Sequence, residues 1–294
     1  MNTTITQAQI DRYRADGFVV VPDFLSRAEL DDWRDALDEA LGRRGRAKLP
    51  GGRWKGEESV YPEDIEKVFI QRLNLWMDNP RMKRLILDER IAEMAANLAG
   101  LDCLRVWHDQ ALVKPPWGAP TGWHLDNPYW SFYHADAITI WIALDDMTPH
   151  NGCLYFIPGT HKTASWDENA TIEQNHFDDL FTIYPEWRGM DAVCAEMRAG
   201  SCSFHNGLVA HGAHANMTPR PRRAMACAYM PDGSTFNGQQ NVLPDDYFES
   251  LSMGDPLDND DWNPIVYRRG DKSKGAKRTT GGRRRGRVAH RSRN

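Results

Sequence analysis

The chain has 294 residues and a net charge of −5, with 41% apolar, 10% aromatic and 26% charged residues. This composition describes a soluble globular chain with a real core and excludes a disordered polypeptide, a collagen-like repeat and a coiled coil. No apolar run approaches the ~18 residues of a membrane span, and the opening MNTTITQAQIDRYRADG lacks the apolar stretch of a secretory signal, so a cytoplasmic location is expected.

The first 42 residues read as helix, strand, helix. Thr6-x-x-Gln9 is a capping box for a short helix through Tyr13 and Arg14, which Gly17 stops. Phe18-Val19-Val20-Val21 is a β-branched run closed by Pro22. Ser26-x-x-Glu29 caps a second helix, with Leu30, Trp33, Leu37 and Leu41 at helical spacing. Residues 43–60 are polar and rich in glycine, hence a loop. Residues 80–100 carry Leu85, Leu87, Ile91, Met94 and Leu98 and end at Gly100, another amphipathic helical stretch.

From Leu104 the pattern becomes that of strands. Arg105–Val113, Ile138–Leu144, Cys153–Ile157, Ser201–Phe204, Leu208–His211 and Ala224–Met230 are short apolar segments. Asn151-Gly152, Pro158-Gly159, Asn206-Gly207 and Asp232-Gly233 supply turns between them. Many short strands at such intervals predict an antiparallel sandwich or barrel. Residues 160–190 form a polar insertion. Five widely spaced cysteines without a C-x-x-C fit free thiols in a reducing compartment better than a disulfide or zinc framework.

The C-terminal stretch inverts the charge. Residues 267–294 hold 12 Lys and Arg against one Asp (+11), while the other 266 residues hold 24 against 40 Asp and Glu (−16). The expected organisation is one domain over 1–270, with a helical part over 1–100 and a strand-built core over about 101–235, followed by a basic, disordered tail over 271–294. An acidic body argues against a dedicated nucleic-acid binder, leaving non-specific polyanion contacts to the tail.

The chemistry-bearing residues begin at Thr121-Gly122-Trp123-His124-Leu125-Asp126. On an extended segment, side chains two apart share a face, which would set the His124 imidazole beside the Asp126 carboxylate. One further histidine would complete the two-histidine, one-carboxylate set of a non-heme Fe(II) oxygenase. An isolated H-x-D is weak, since either residue is more often a surface or hydrogen-bonding group. His205, His211 and His214 are all available as the third ligand, while His108, His134, His150, His161 and His176 read as surface or satisfied histidines.

His211-Gly212, Asn216, Thr218 and Arg222 resemble, in order and spacing, the H-G-x-x-x-N-x-T motif and trailing arginine of the phytanoyl-CoA dioxygenase family. The resemblance extends to Trp141–Asp146, Asn151–Leu154, Ile157–Lys162 and the opening Tyr13–Leu25, and spans residues 8–232. It implies a double-stranded β-helix, that is, a cupin-like jelly-roll, mainly β with flanking helices. It implies a dioxygenase that uses Fe(II), 2-oxoglutarate and O2, releases succinate and CO2, and hydroxylates or otherwise oxidises a C–H bond of a small molecule. It selects His211 as the third ligand beside His124 and Asp126. It also selects Arg222, over Arg220 and Arg223, for the distal carboxylate of 2-oxoglutarate, and points to Lys114, Thr121 and Trp141 as cosubstrate neighbours. Ala213 stands where some relatives carry a serine that touches 2-oxoglutarate. Arg223, on the opposite strand face, is expected in solvent.

The aromatic-rich surroundings of the H-x-D segment, with Trp117, Asn127, Tyr129 and Trp130 foremost, are candidates for the substrate pocket. With Asp126 in place, the resemblance implies hydroxylation, desaturation or ring formation rather than halogenation. A non-catalytic or differently metallated jelly-roll binding protein is the competing function, but it has no need of both metal and cosubstrate ligands. Because Arg291-Ser292-Arg293-Asn294 is not an S-K-L-type address, a peroxisomal acyl-CoA role is not expected.

Overall fold

A computed structural model of the protein describes residues 1–48, 61, 66–166, 168, 170 and 177–271. The expected basic tail, most of the 43–60 loop and His176 fall outside these residues.

Both capping boxes form. Thr6 and Gln9 close the N-terminus of α1 (Gln7–Asp16), and Ser26 and Glu29 that of α2 (Arg27–Arg44). Gly17 ends α1 at φ 84°, a left-handed turn that glycine adopts without steric cost. Between the helices, β1 (Phe18–Val21) joins a sheet. The stretch expected as one helix over 80–100 is two, α3 (Pro80–Ile86) and α4 (Glu89–Ala99). Asp88 accepts from the backbone of Arg90 and restarts the helix, so the intervening turn re-aims the second apolar face.

Two antiparallel sheets form the jelly-roll. The remaining strands are β2 (Ile70–Leu73), β3 (Cys103–Lys114), β4 (Thr121–His124), β5 (Ile138–Ala143), β6 (Leu154–Phe156), β7 (Val193–Cys194), β8 (Cys202–Asn206), β9 (His211–Ala213), β10 (Arg222–Pro231) and β11 (Ile265–Arg268). The large sheet runs β1-β8-β5-β10-β3-β11, with β2 also on β3, and the small one runs β4-β9-β6-β7. The large sheet therefore takes strands from 18–21, 70–73 and 265–268, beyond the expected limits of 101–235. Leu208–His211 is not a strand: residues 206–209 turn, and β9 starts at His211.

The alternation of β5 separates the layers. Ile138, Ile140 and Ile142 face outward into a core shared with Trp33, Leu37 and Met94 of the helices, whereas Trp141 and Ala143 face inward between the sheets. All six residues of β5 are buried, as expected of a central strand covered on both faces. Among the described residues, no helix is long and apolar enough to cross a membrane.

One buried carboxylate pins the entry to the helical layer. Asp109 is fully buried and accepts the backbone N–H groups of Leu75 and Trp76 at 3.1 and 3.0 Å. Burial raises its pKa to about 7 in spite of these bonds. Asp109→Ala should destabilise the fold by about 2–3 kcal/mol, because two buried N–H groups lose their acceptor. Denaturant unfolding with an unchanged m-value would report this loss, and a variant of unaltered midpoint would refute the role.

Candidate active site

The candidate metal-ligand set comes from the pairing of β4 with β9, in which His124 lies directly opposite His211. Cross-strand partners project to the same side, and the two imidazoles meet with ring centroids 4.2 Å apart. Asp126 reaches them by a different route from the extended segment expected. The strand ends at His124, Asp126 has helical backbone angles (φ −81°, ψ −48°), and its N–H donates to the Gly207 carbonyl. The 206–207 turn thus swings the carboxylate back, leaving Asp126 Oδ1 3.7 Å from Nε2 of both His124 and His211.

The candidate ligand atoms of His124, Asp126 and His211 all lie within 4.8 Å of one another. Each histidine has its Nδ1 against a backbone carbonyl, that of Gly122 for His124 (2.8 Å) and that of Val209 for His211 (3.0 Å). A carbonyl accepts only, so Nδ1 carries the proton and Nε2 keeps a free lone pair for a cation. Burial lowers both imidazole pKa values, that of His211 to about 3. Burial alone would raise Asp126, but the imidazoles of His211, His205 and His124 hold it well below the usual carboxylate range. Two neutral imidazoles and one carboxylate are the protonation state that metal binding requires.

The other two histidines in contention take different places. His205 Nε2 lies 3.2 Å from Asp126 Oδ2, the oxygen turned away from the two ligand imidazoles, with Thr139 Oγ1 3.5 Å from the same atom. His214 is exposed and stacks on Tyr155.

Arg222 and Lys114 are cross-strand partners at the facing ends of β10 and β3. They are 4% and 1% exposed, line the same cavity as the three ligands, and form no ion pair among the described residues. Arg222 donates one Nη2 bond to the Gly152 carbonyl and sits over the Trp141 ring at 5.3 Å, while its Nε and Nη1 have no partner among the described residues. Lys114 donates to the Ala119 carbonyl (2.6 Å) and to Thr121 Oγ1 (3.3 Å). Burial, with Arg222 adding repulsion, lowers Lys114 to about 7, and burial lowers Arg222 to about 10. Two adjacent buried cations with spare donors are costly unless an anion joins them. Gly152 (φ +83°) keeps this corner open, since a Cβ there would meet Lys114 Cδ at 2.6 Å.

Asn216 ties the two cation-bearing strand ends together. Its Nδ2 donates to the carbonyls of Pro115 (2.9 Å) and Arg220 (2.7 Å), and its Oδ1 accepts from Thr218 Oγ1 (2.8 Å). The N-x-T part of the motif is therefore a backbone latch.

The cavity, of about 260 Å3, is floored by the large sheet. Thr121, Trp141, Tyr129 and Trp130 line it, as does Ala213 in the serine's place. Two expected pocket residues do not: Trp117 is 65% exposed on a left-handed turn (φ 60°), and Asn127 is buried behind the wall, in reach of the His134 carbonyl. Arg223 is also corrected, being half-buried in ion pairs with Asp145 and Asp38 rather than free in solvent. Sequence reasoning missed His108, Gln110 and Gln71 in the cavity wall; the period-two run His108, Gln110, Leu112, Lys114 was the available signal.

Three candidate ligands beside a pair of buried cations suit a 2-oxoglutarate-dependent non-heme iron dioxygenase, and by its family this jelly-roll protein is one. The chain belongs to the phytanoyl-CoA dioxygenase (PhyH) family, whose sequence model matches residues 13–224. It is 26% identical to a methylphosphonate hydroxylase of Gimesia maris over 78% of this chain and 82% of that protein. It is 28% identical to an ectoine dioxygenase of Stutzerimonas stutzeri over 78% of each. Among solved structures, the non-heme alpha-ketoglutarate-dependent carbocyclase SnoK of nogalamycin biosynthesis superposes with a TM-score of 0.72 at 30% identity, over 90% of this chain and 97% of that one.

Proposed function

We propose that His124, Asp126 and His211 hold Fe(II), that Arg222 with Lys114 and Thr121 seats the distal carboxylate of 2-oxoglutarate, and that the enzyme oxidises a C–H bond of a small molecule. The observation that carries the cosubstrate half is the pair of unpartnered Arg222 donors, buried in the wall of the cavity that the three ligands share. When bound, iron and 2-oxoglutarate supply oxidative decarboxylation to succinate and CO2, coupled to oxidation of the substrate.

The protein's own residues do the positioning. The Nδ1–carbonyl bonds orient both imidazoles, and His205 and Thr139 engage Asp126 Oδ2, which would leave Oδ1 to a metal. The Arg222 fork pairs a carboxylate through two donors and stays charged where water is excluded. Trp141 closes the apolar side of that corner. Asp126 occupies the carboxylate position, which favours hydroxylation, desaturation or ring formation over halogenation. The test is Fe(II)-dependent succinate formation from 2-oxoglutarate, with metabolite pools screened for a compound that stimulates it and gains one oxygen or loses two hydrogens. A metal-loaded enzyme that never turns over 2-oxoglutarate, or a chlorinated product in excess chloride, would refute the reading.

A pH dependence follows from Lys114. Its charged form binds the cosubstrate carboxylate, and with a pKa of about 7 that form is lost as pH rises. Affinity for 2-oxoglutarate should therefore fall above about pH 7.5, approaching tenfold per pH unit by pH 9. In Lys114→Met the affinity should be lower throughout and the slope gone. Calorimetric titration at several pH values measures both, and a slope that persists in the variant would remove Lys114 as its source.

A further inference from the structure

The inward face of β3 changes character along its length. Lys114 and Leu112 lie at the cosubstrate end, and Gln110 and His108 continue the same face, His108 about 20 Å from Lys114 at ~3.4 Å per residue. Here β3 is paired on one side with the small residues Ala226 and Ala228 of β10, so that side stays low. On the other side Gln71 of β2 donates to Gln110 Oε1 at 2.7 Å. That bond fixes the two amides and leaves the Gln110 NH2 and the Gln71 carbonyl to serve the cavity they line.

Two further observations define what fits. His108 lines the cavity at 4% exposure, and its buried Nδ1 has no hydrogen-bond partner among the described residues. Burial lowers its pKa to about 4, so the ring is neutral. Trp130 meets it edge-on with centroids 6.4 Å apart, and Tyr129 lines the same wall. Among the described residues, the cavity wall holds no Asp, Glu, Lys or Arg besides Asp126, Lys114 and Arg222.

We propose that this half of the cavity is the substrate subsite and that it takes an uncharged cyclic molecule bearing a carbonyl, carboxamide or hydroxyl group. The inference rests on the reading above, in which 2-oxoglutarate occupies both cations; a substrate anion would then meet no further cationic side chain among the described wall residues, and burying it unpaired is costly. The neutral donor and acceptor groups of His108, Gln110 and Gln71 match a carbonyl or hydroxyl, and the aromatic wall matches a ring face.

The test uses two isosteric probes, 2-naphthamide and 2-naphthoate, titrated anaerobically by calorimetry into the enzyme loaded with Fe(II) and 2-oxoglutarate. Naphthamide should bind more tightly than naphthoate by about tenfold or more. Gln110→Lys should reverse that order, and His108→Phe should weaken naphthamide by about tenfold while sparing ring stacking. Tighter or equal binding of naphthoate, no binding of naphthamide, or an order unchanged in Gln110→Lys would overturn the subsite. The visible charge-transfer band of the Fe(II)–2-oxoglutarate chelate is recorded first. Its absence from the unmodified protein would overturn the cosubstrate reading, whereas its presence with the wrong probe order would overturn the subsite alone.

Discussion

His211→Ala will lose Fe(II) binding and turnover together while keeping the fold. On the proposed assignment three protein atoms would hold the metal, and removing one would leave a two-ligand site. Loss of an outer partner already costs about 10- to 100-fold in metal affinity or activity in such centres, so loss of a ligand should leave no turnover above a metal-free control. The fold should persist, because His211 lies at the start of a three-residue strand and the major packing is between the large sheet and the helices. His214→Ala should behave as the unmodified enzyme, its ring being exposed and stacked on Tyr155. His205→Ala should fall between the two, with the metal bound more weakly because Asp126 Oδ2 loses its imidazole partner. Iron titration with circular dichroism on the same samples decides the matter. A His211 variant that retains iron, beside a His205 variant that does not, would reassign the third ligand.

Arg222→Ala will raise the apparent Michaelis constant for 2-oxoglutarate by roughly 30- to 150-fold, corresponding to about 2–3 kcal/mol for a charge-assisted bidentate pair. Iron affinity without cosubstrate should be unchanged, since the guanidinium touches the Gly152 carbonyl and the Trp141 ring but no metal ligand. Stability should change little, because the weaker packing against Trp141 is offset by removal of an uncompensated buried cation. Arg222→Lys should recover part of the affinity, having the charge without the fork. An Arg222→Ala enzyme with the cosubstrate constant unmoved would show that another group receives the carboxylate.

The sequence disclosed the central strands and the helix caps because these obey local rules. β5 and β10 read as apolar runs between turns, and the two capping boxes are visible as four-residue patterns. It disclosed less at the edges: β2 is four residues long and includes Gln71 and Arg72, so nothing in its composition marks it as a strand. The wall residues His108 and Gln110 were obscured for a different reason. A strand face turned to a cavity carries polar side chains just as a face turned to water does, and only the tertiary pairing that covers β3 on both sides separates the two. Asp126 shows the same limit, since the H-x-D spacing suggests a shared strand face while the turn at Gly207 sets the actual approach.

The Asn216 latch has a consequence for re-engineering the enzyme. It binds the strand ends that carry Lys114 and Arg222 through their backbones, so that corner tolerates side-chain exchange elsewhere without drifting. The opposite wall is contributed by separate stretches, Phe69, Gln71 and Leu73 from one and Asn241 and Val242 from another, which are not held by the latch. The cavity thus has a fixed corner and an exchangeable front, and libraries confined to Phe69, Gln71, Leu73, Asn241 and Val242 would retarget the reaction while sparing the machinery that drives it.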